Sequence, residues 1–105
     1  MLDHGADLKA IDAYQESAIH FVAASGQVDL AKLLVSRGAD INSASPQSGQ
    51  IPLHYATIHS QVEMIKFLAA NGADLNAADH QGRTPLKEAR SARIAELLRS
   101  LGASR

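Results

Sequence analysis

Ile51-Pro52-Leu53-His54-Tyr55-Ala56 decides how this chain folds, because its shape recurs on both sides at a nearly fixed step. Thirty-four residues before Pro52 begins Ala18-Ile19-His20-Phe21-Val22, and 33 after Ile51 begins Thr84-Pro85-Leu86-Lys87-Glu88-Ala89. A second marker keeps the same step: Gly5-Ala6-Asp7, Gly38-Ala39-Asp40 and Gly72-Ala73-Asp74 follow one another by 33 and then 34 residues, and Gly102-Ala103 closes the chain. Two unrelated motifs therefore share one period, which marks a chain built from stacked copies of one supersecondary unit.

A period near 33 that carries a Thr-Pro-Leu-His-x-Ala pattern resembles the ankyrin repeat, a turn followed by two antiparallel helices. The resemblance runs from end to end, with Thr84-Pro85-Leu86 the nearest match and His20 and His54 at the imidazole position. It implies an all-α solenoid of stacked antiparallel helix pairs joined by β-hairpin-type turns. It also implies that His20 and His54 tie each helix start to adjacent turns by hydrogen bonds.

Local signals place the elements. Ser17 is the expected N-cap of a short helix running to Ala24, which Gly26 ends with a positive φ. The next helix is expected from about Val28, with Val28, Ala31, Leu34 and Val35 on one stripe and Leu30 and Leu33 widening it into a buried face. The second unit carries one extra residue in Ser45-Pro46-Gln47-Ser48-Gly49-Gln50, and extra length belongs at a loop tip. Pro52 and Pro85 suit the first helical position, where the missing N–H does no harm. Ser60 stands where the pattern wants Gly, a place for local strain.

Val62, Ile65, Leu68 and Ala69 form the next stripe, with Met64 and Phe67 beside it. The last unit lacks three residues between Ala89 and Ile94, yet Ile94, Leu97, Leu98 and Leu101 keep a clean stripe opposite Arg93, Glu96, Arg99 and Ser100. A shortened, charged final unit reads as a C-terminal cap.

The organisation read from this register is one domain, 1–105, comprising 1–11 as the end of a truncated repeat and repeats at 12–44, 45–78 and 79–105. Met1-Leu2 aligns with Leu34-Val35 and Leu68-Ala69, so the chain starts inside a repeat, with no N-terminal cap. The side of the first full unit is then expected to expose apolar surface and promote self-association. A single helix pair buries too little to offset its own ordering, so each repeat depends on its neighbour. Truncating Leu34 or Leu68 is expected to unfold the array.

Composition removes several chemistries. There is no Cys, so disulfides, thiolate zinc sites and thiol catalysis are excluded, and a cytoplasmic or other reducing compartment is permitted. No apolar run approaches the ~20 residues that span a bilayer. His54 and His59, five apart, point about 140° apart around a helix and chelate poorly. No G-x-S-x-G, G-x-G-x-x-G or P-loop is present. No catalytic residue, metal, cofactor or small-molecule substrate is expected. Charge is uneven: residues 1–82 hold four basic and nine acidic side chains, 83–105 six and two. A solvated terminal helix whose cations suit its own dipole explains this better than nucleic-acid binding.

What remains is surface. In ankyrin repeats partners lie across the hairpin tips and the exposed side of each first helix. Carried over by position, the resemblance implies partner-binding residues at the tips (Tyr14, Glu16, Gln47, Ser48, Gln50, His80, Gln81, Arg83) and on the first helices (Phe21, Ser25, Tyr55, Ile58, His59). Tyr14, Phe21 and Tyr55 are three of the four aromatics and are candidate anchors, although Phe21 and Tyr55 packing between helices fits equally. The expected function is a non-catalytic protein-interaction module that binds another protein. The alternative is a targeting or scaffold segment of a larger enzyme or effector.

Overall fold

The computed structural model describes residues 18–104. Tyr14, Glu16, the Ser17 cap and the 1–11 fragment lie outside the described residues.

Among the described residues six helices follow one another in three antiparallel pairs: α1 (18–25) with α2 (Val28–Ser36), α3 (Pro52–Ile58) with α4 (Val62–Ala70), and α5 (Pro85–Glu88) with α6 (Ala92–Leu101). No strand occurs among the described residues. First helices pack on first helices (α3 on α5) and second on second (α2 on α4, α4 on α6). Contacts thus pass from each pair to the next, as in a solenoid.

The helices are short because each is stopped by the same hydrogen-bonded device. Ala39, Ala73 and Ala103 each donate their N–H five residues back, to the carbonyls of Leu34, Leu68 and Leu98, at 2.9 to 3.0 Å. The residue between is Gly38, Gly72 or Gly102, at φ +97°, +94° and +123°, a Schellman-type end that needs a left-handed residue. The first helices end likewise, with Gln27 and Gln61 reaching back to Val22 and Ala56. Gly26 supplies the left-handed residue in α1 at φ +74°, but α3 uses Ser60 at φ +53°. That is the strain expected at Ser60: an L side chain in this region costs about 1 to 2 kcal/mol.

Starts are equally local. Pro52 and Pro85 open α3 and α5, the Thr84 hydroxyl accepts the Lys87 N–H, and Ser91 caps α6 by accepting from Ile94. α5 is only four residues long because the three-residue deletion removes its last turn; Ala89 is extended instead of capping with a left-handed residue.

The core is one cluster of small and aliphatic side chains that includes Val22, Ala31, Leu53, Ala56, Met64, Ile65, Leu68, Ile94 and Leu98. Two expectations need correction here. Leu30 and Leu33 are not buried; they remain 38% and 46% exposed. One helix pair on, the residue equivalent to Leu30 is Met64, and two on it is Ile94, and these are 1% and 2% exposed. Met64 and Ile94 lie on second helices that stack on a preceding one, α4 on α2 and α6 on α4, whereas α2 is the first second helix among the described residues. Leu34 is likewise only partly buried while Leu68 is fully so, so the two leucines are not equal in weight.

Candidate interaction groove

The side chains that join one pair to the next also shape the surface at the tips. His20 Nε2 donates to the Gln50 carbonyl at 2.8 Å, and His54 Nε2 donates to the Arg83 carbonyl at 2.9 Å. His54 also accepts the Ile51 N–H on Nδ1 at 3.1 Å, so both ring nitrogens are spent inside the fold. Each imidazole thus pins the tip that precedes the following first helix. The tip closures show where the extra residue went: Ser45 N–H to Gln50 carbonyl spans six residues, Asp79 N–H to Arg83 carbonyl five.

At the opposite edge Asn42 clamps the next turn, accepting from Asp74 N–H and donating to the Gly72 carbonyl, and Asn76 accepts from Ser104 N–H.

Between the first of these tips and the helices α1 and α3 lies a groove of about 360 Å³. Its helical wall is His20, Phe21 and Ala24 from α1 with Tyr55 and His59 from α3 and its end; the tip contributes Ser45, Pro46 and Gln47. Phe21 is 67% exposed. Tyr55 is half-buried against the core and meets the His20 ring edge-on, centroids 4.9 Å apart. The equivalent positions on successive first helices therefore behave differently: Tyr55 packs inward along one edge while Phe21 stands out into solvent.

Four residues expected at the surface strip, Phe21, Gln47, Tyr55 and His59, line this one groove. The others are dispersed. The Ser25 hydroxyl donates to its own helix at Val22 and accepts from Gln27. Ser48 gives its carbonyl to the His80 N–H and its hydroxyl to the Gln50 N–H. Ile58 is half-buried, and His80 and Gln81 are exposed on the next tip.

Gln50 and Arg83 belong to an internal network around Asp79. The Asp79 side chain is 1% exposed and accepts from the Gln81 and Arg83 N–H groups at 2.8 and 2.9 Å and from the Gln50 amide at 3.2 Å. Arg83 Nε lies 3.4 Å from Asp79 and 3.3 Å from Glu88. Burial alone would raise the Asp79 pKa, but the two backbone donors, the Gln50 amide and the Arg83 guanidinium outweigh it and lower it from 3.8 to about 2.

Ser45, Pro46 and His20 also line the groove although sequence reasoning gave them other roles. The extra residue at the tip was the signal that could have found the first two.

A second groove of about 390 Å³ lies between α4 and α6, with Lys66, Arg93 and Glu96 among its lining. None of the residues expected at the interface falls there. Among the described residues no three His, Asp or Glu gather as metal ligands, and no helix is long and apolar enough to cross a membrane.

Comparison with known proteins agrees with the repeat geometry: a family model described as ankyrin repeats in three copies matches residues 19–104. The chain belongs to the ankyrin-repeat family. Ankyrin repeats generally mediate protein–protein interaction. Over 48 residues, 46% of its length, this ankyrin chain is 42% identical to the NF-kappa-B inhibitor cactus of Drosophila yakuba and to that of Drosophila melanogaster. It spans 10% of the length of these relatives.

Proposed function

We propose that the chain is a non-catalytic module that holds another protein on the strip formed by its hairpin tips and first helices, centred on the groove of Phe21, Gln47, Tyr55 and His59. The observation that carries this reading is Phe21, a large apolar ring 67% exposed at the rim of a concave surface. Aromatic side chains are favoured interface anchors, and covering one contributes strongly to binding. His54 and Asp79, by contrast, are consumed by hydrogen bonds that build the tips. Similarity to a protein named as an inhibitor supports the same mode of action, restraint of one protein by another.

The test is differential capture. The native chain, a Phe21→Ala/Gln47→Ala/His59→Ala variant and a Lys66→Ala/Ser100→Ala control from the other groove are compared as baits. A partner retained by the native chain and control but lost from the triple variant is expected; equal retention by all three would refute the reading.

A second surface supports self-association. Leu30 and Leu33 are apolar and exposed at the repeat positions where Met64 and Phe67 join the core. Sedimentation at rising concentration is expected to show association that Leu30→Ser/Leu33→Ser abolishes, and a strict monomer would rule it out.

A further inference from the structure

The groove is not only exposed but poor in charged side chains among the described residues. None of the eight described residues that line it is Asp, Glu, Lys or Arg, on a chain in which 20% of residues are charged. Beyond it, Arg83 on the following tip pairs with both Asp79 and Glu88 at 3.3 to 3.4 Å. The groove between α4 and α6 differs, since Lys66, Arg93 and Glu96 line it.

A group that enters the tip groove therefore meets no carboxylate, ammonium or guanidinium among the described lining residues. A charged side chain would lose its hydration there without compensation, whereas an apolar one would gain by covering Phe21 and the free edge of Tyr55. The rim is polar: the Ser45 hydroxyl donates to the Gln47 side-chain oxygen Oε1 at 3.1 Å, leaving the Gln47 amide nitrogen to meet a backbone carbonyl. The volume, about 360 Å³, is at the small end of ligand-sized cavities, which run from about 300 Å³ upward. That is room for one large side chain and its adjoining backbone, not for a helix.

We infer that this groove selects, from the partner protein, a segment that presents a single uncharged apolar or aromatic side chain between Phe21 and Tyr55. The inference rests on the reading of the groove as the docking site and adds to it the chemistry of what docks. Charged residues of the partner are left to lie outside the groove, on the neighbouring tip and the ends of the array.

The experiment titrates the whole chain, labelled for amide NMR, with four probes: N-acetyl-leucinamide, N-acetyl-tryptophanamide, N-acetyl-lysinamide and the α-amide of N-acetyl-glutamic acid. The two apolar probes are expected to give saturable shifts at Phe21, Gln47, Tyr55 and His59, with dissociation constants of about 1 mM. The charged probes are expected to bind at least about fivefold more weakly. Phe21→Ala should weaken the apolar probes by about fivefold or more, and so exposed a ring can be removed without unfolding the chain. Gln47→Glu should shift the preference toward N-acetyl-lysinamide.

Equal or tighter binding of a charged probe, or no saturable shift at the groove with any probe, would overturn the inference. If the probes fail while the captured partner still depends on Phe21 and Gln47, the inference falls and the interface reading stands. If the partner ignores those residues, the interface reading falls whatever the probes do.

Discussion

Removing three side-chain heavy atoms from equivalent positions in two successive repeats should have unequal cost. Met64 and Leu30 occupy one site in the repeat, but Met64 is 1% exposed and Leu30 38%. Met64→Ala loses the full transfer energy and leaves a cavity between α2 and α4, a cost of about 3 kcal/mol within the usual range of ~2 to 5. Leu30→Ala loses about 0.8 kcal/mol per carbon, reduced by the part already in water, and solvent fills the space; that is about 1 to 1.5 kcal/mol. Ile94→Ala, 2% exposed, should resemble Met64→Ala.

Urea unfolding followed by circular dichroism reads these differences. With slopes of about 1 to 3 kcal/mol per molar for small proteins, the midpoints of Met64→Ala and Leu30→Ala should separate by about 1 M. The corresponding gap in Tm is about 8 to 16 °C at this chain length. Equal losses at positions 30 and 64 would refute the reasoning, because they would mean that burial at this site does not depend on the neighbouring repeat.

Three further perturbations follow from particular contacts. Ser60→Gly should relieve the left-handed Ser at φ +53° and raise stability by up to about 1 kcal/mol after the entropic cost of Gly; a loss measured by urea unfolding would contradict it. His54→Ala leaves the Ile51 N–H and the Arg83 carbonyl without their partner and should cost about 2 to 3 kcal/mol by the same assay, with an unchanged midpoint as the refuting result.

Asp79, lowered from 3.8 to about 2 in the folded chain, stabilises the fold above pH 4, and that contribution is lost as pH falls from about 4 to 2. With Arg83 beside it half in water, the contribution is on the order of 1 kcal/mol. Asp79→Asn should therefore flatten this limb of the stability profile, and an unchanged limb would show that other carboxylates produce it.

Much of this fold could be read from the chain because repeat periodicity carries local information twice. The Gly-Ala pairs mark Schellman ends and the Pro-Leu stretches mark helix starts, so one interrupted copy, such as Ser60, is legible against its equivalents. Leu30 and Leu33 depart from the expectation because an apolar stripe reports which side of a helix can be buried, not how much of that side is covered. The groove was half legible. Position in the repeat pointed to Phe21 and Tyr55, but their different exposure depends on the edge-on contact of Tyr55 with His20.

The tips were harder still. Gln50 and Arg83 look like free polar surface in the sequence, yet both are tied to the buried Asp79 carboxylate through contacts 29 and 4 residues away, with Arg83 still half in water. The extra residue between Ser45 and Gln50 was visible as a change of step, whereas its effect, a longer tip that puts Pro46 and Gln47 over α1, needed the hydrogen bonds that close it.

Amide hydrogen exchange on the chain, free and bound to the partner recovered by differential capture, tests most directly whether stacking builds a docking groove at the tips. Slowed exchange at residues 20–24, 45–47 and 55–59, with little change around Lys66, Arg93 and Ser100, is the predicted result. Protection centred on Lys66, Arg93 and Ser100, with the tip groove unaffected, would contradict it.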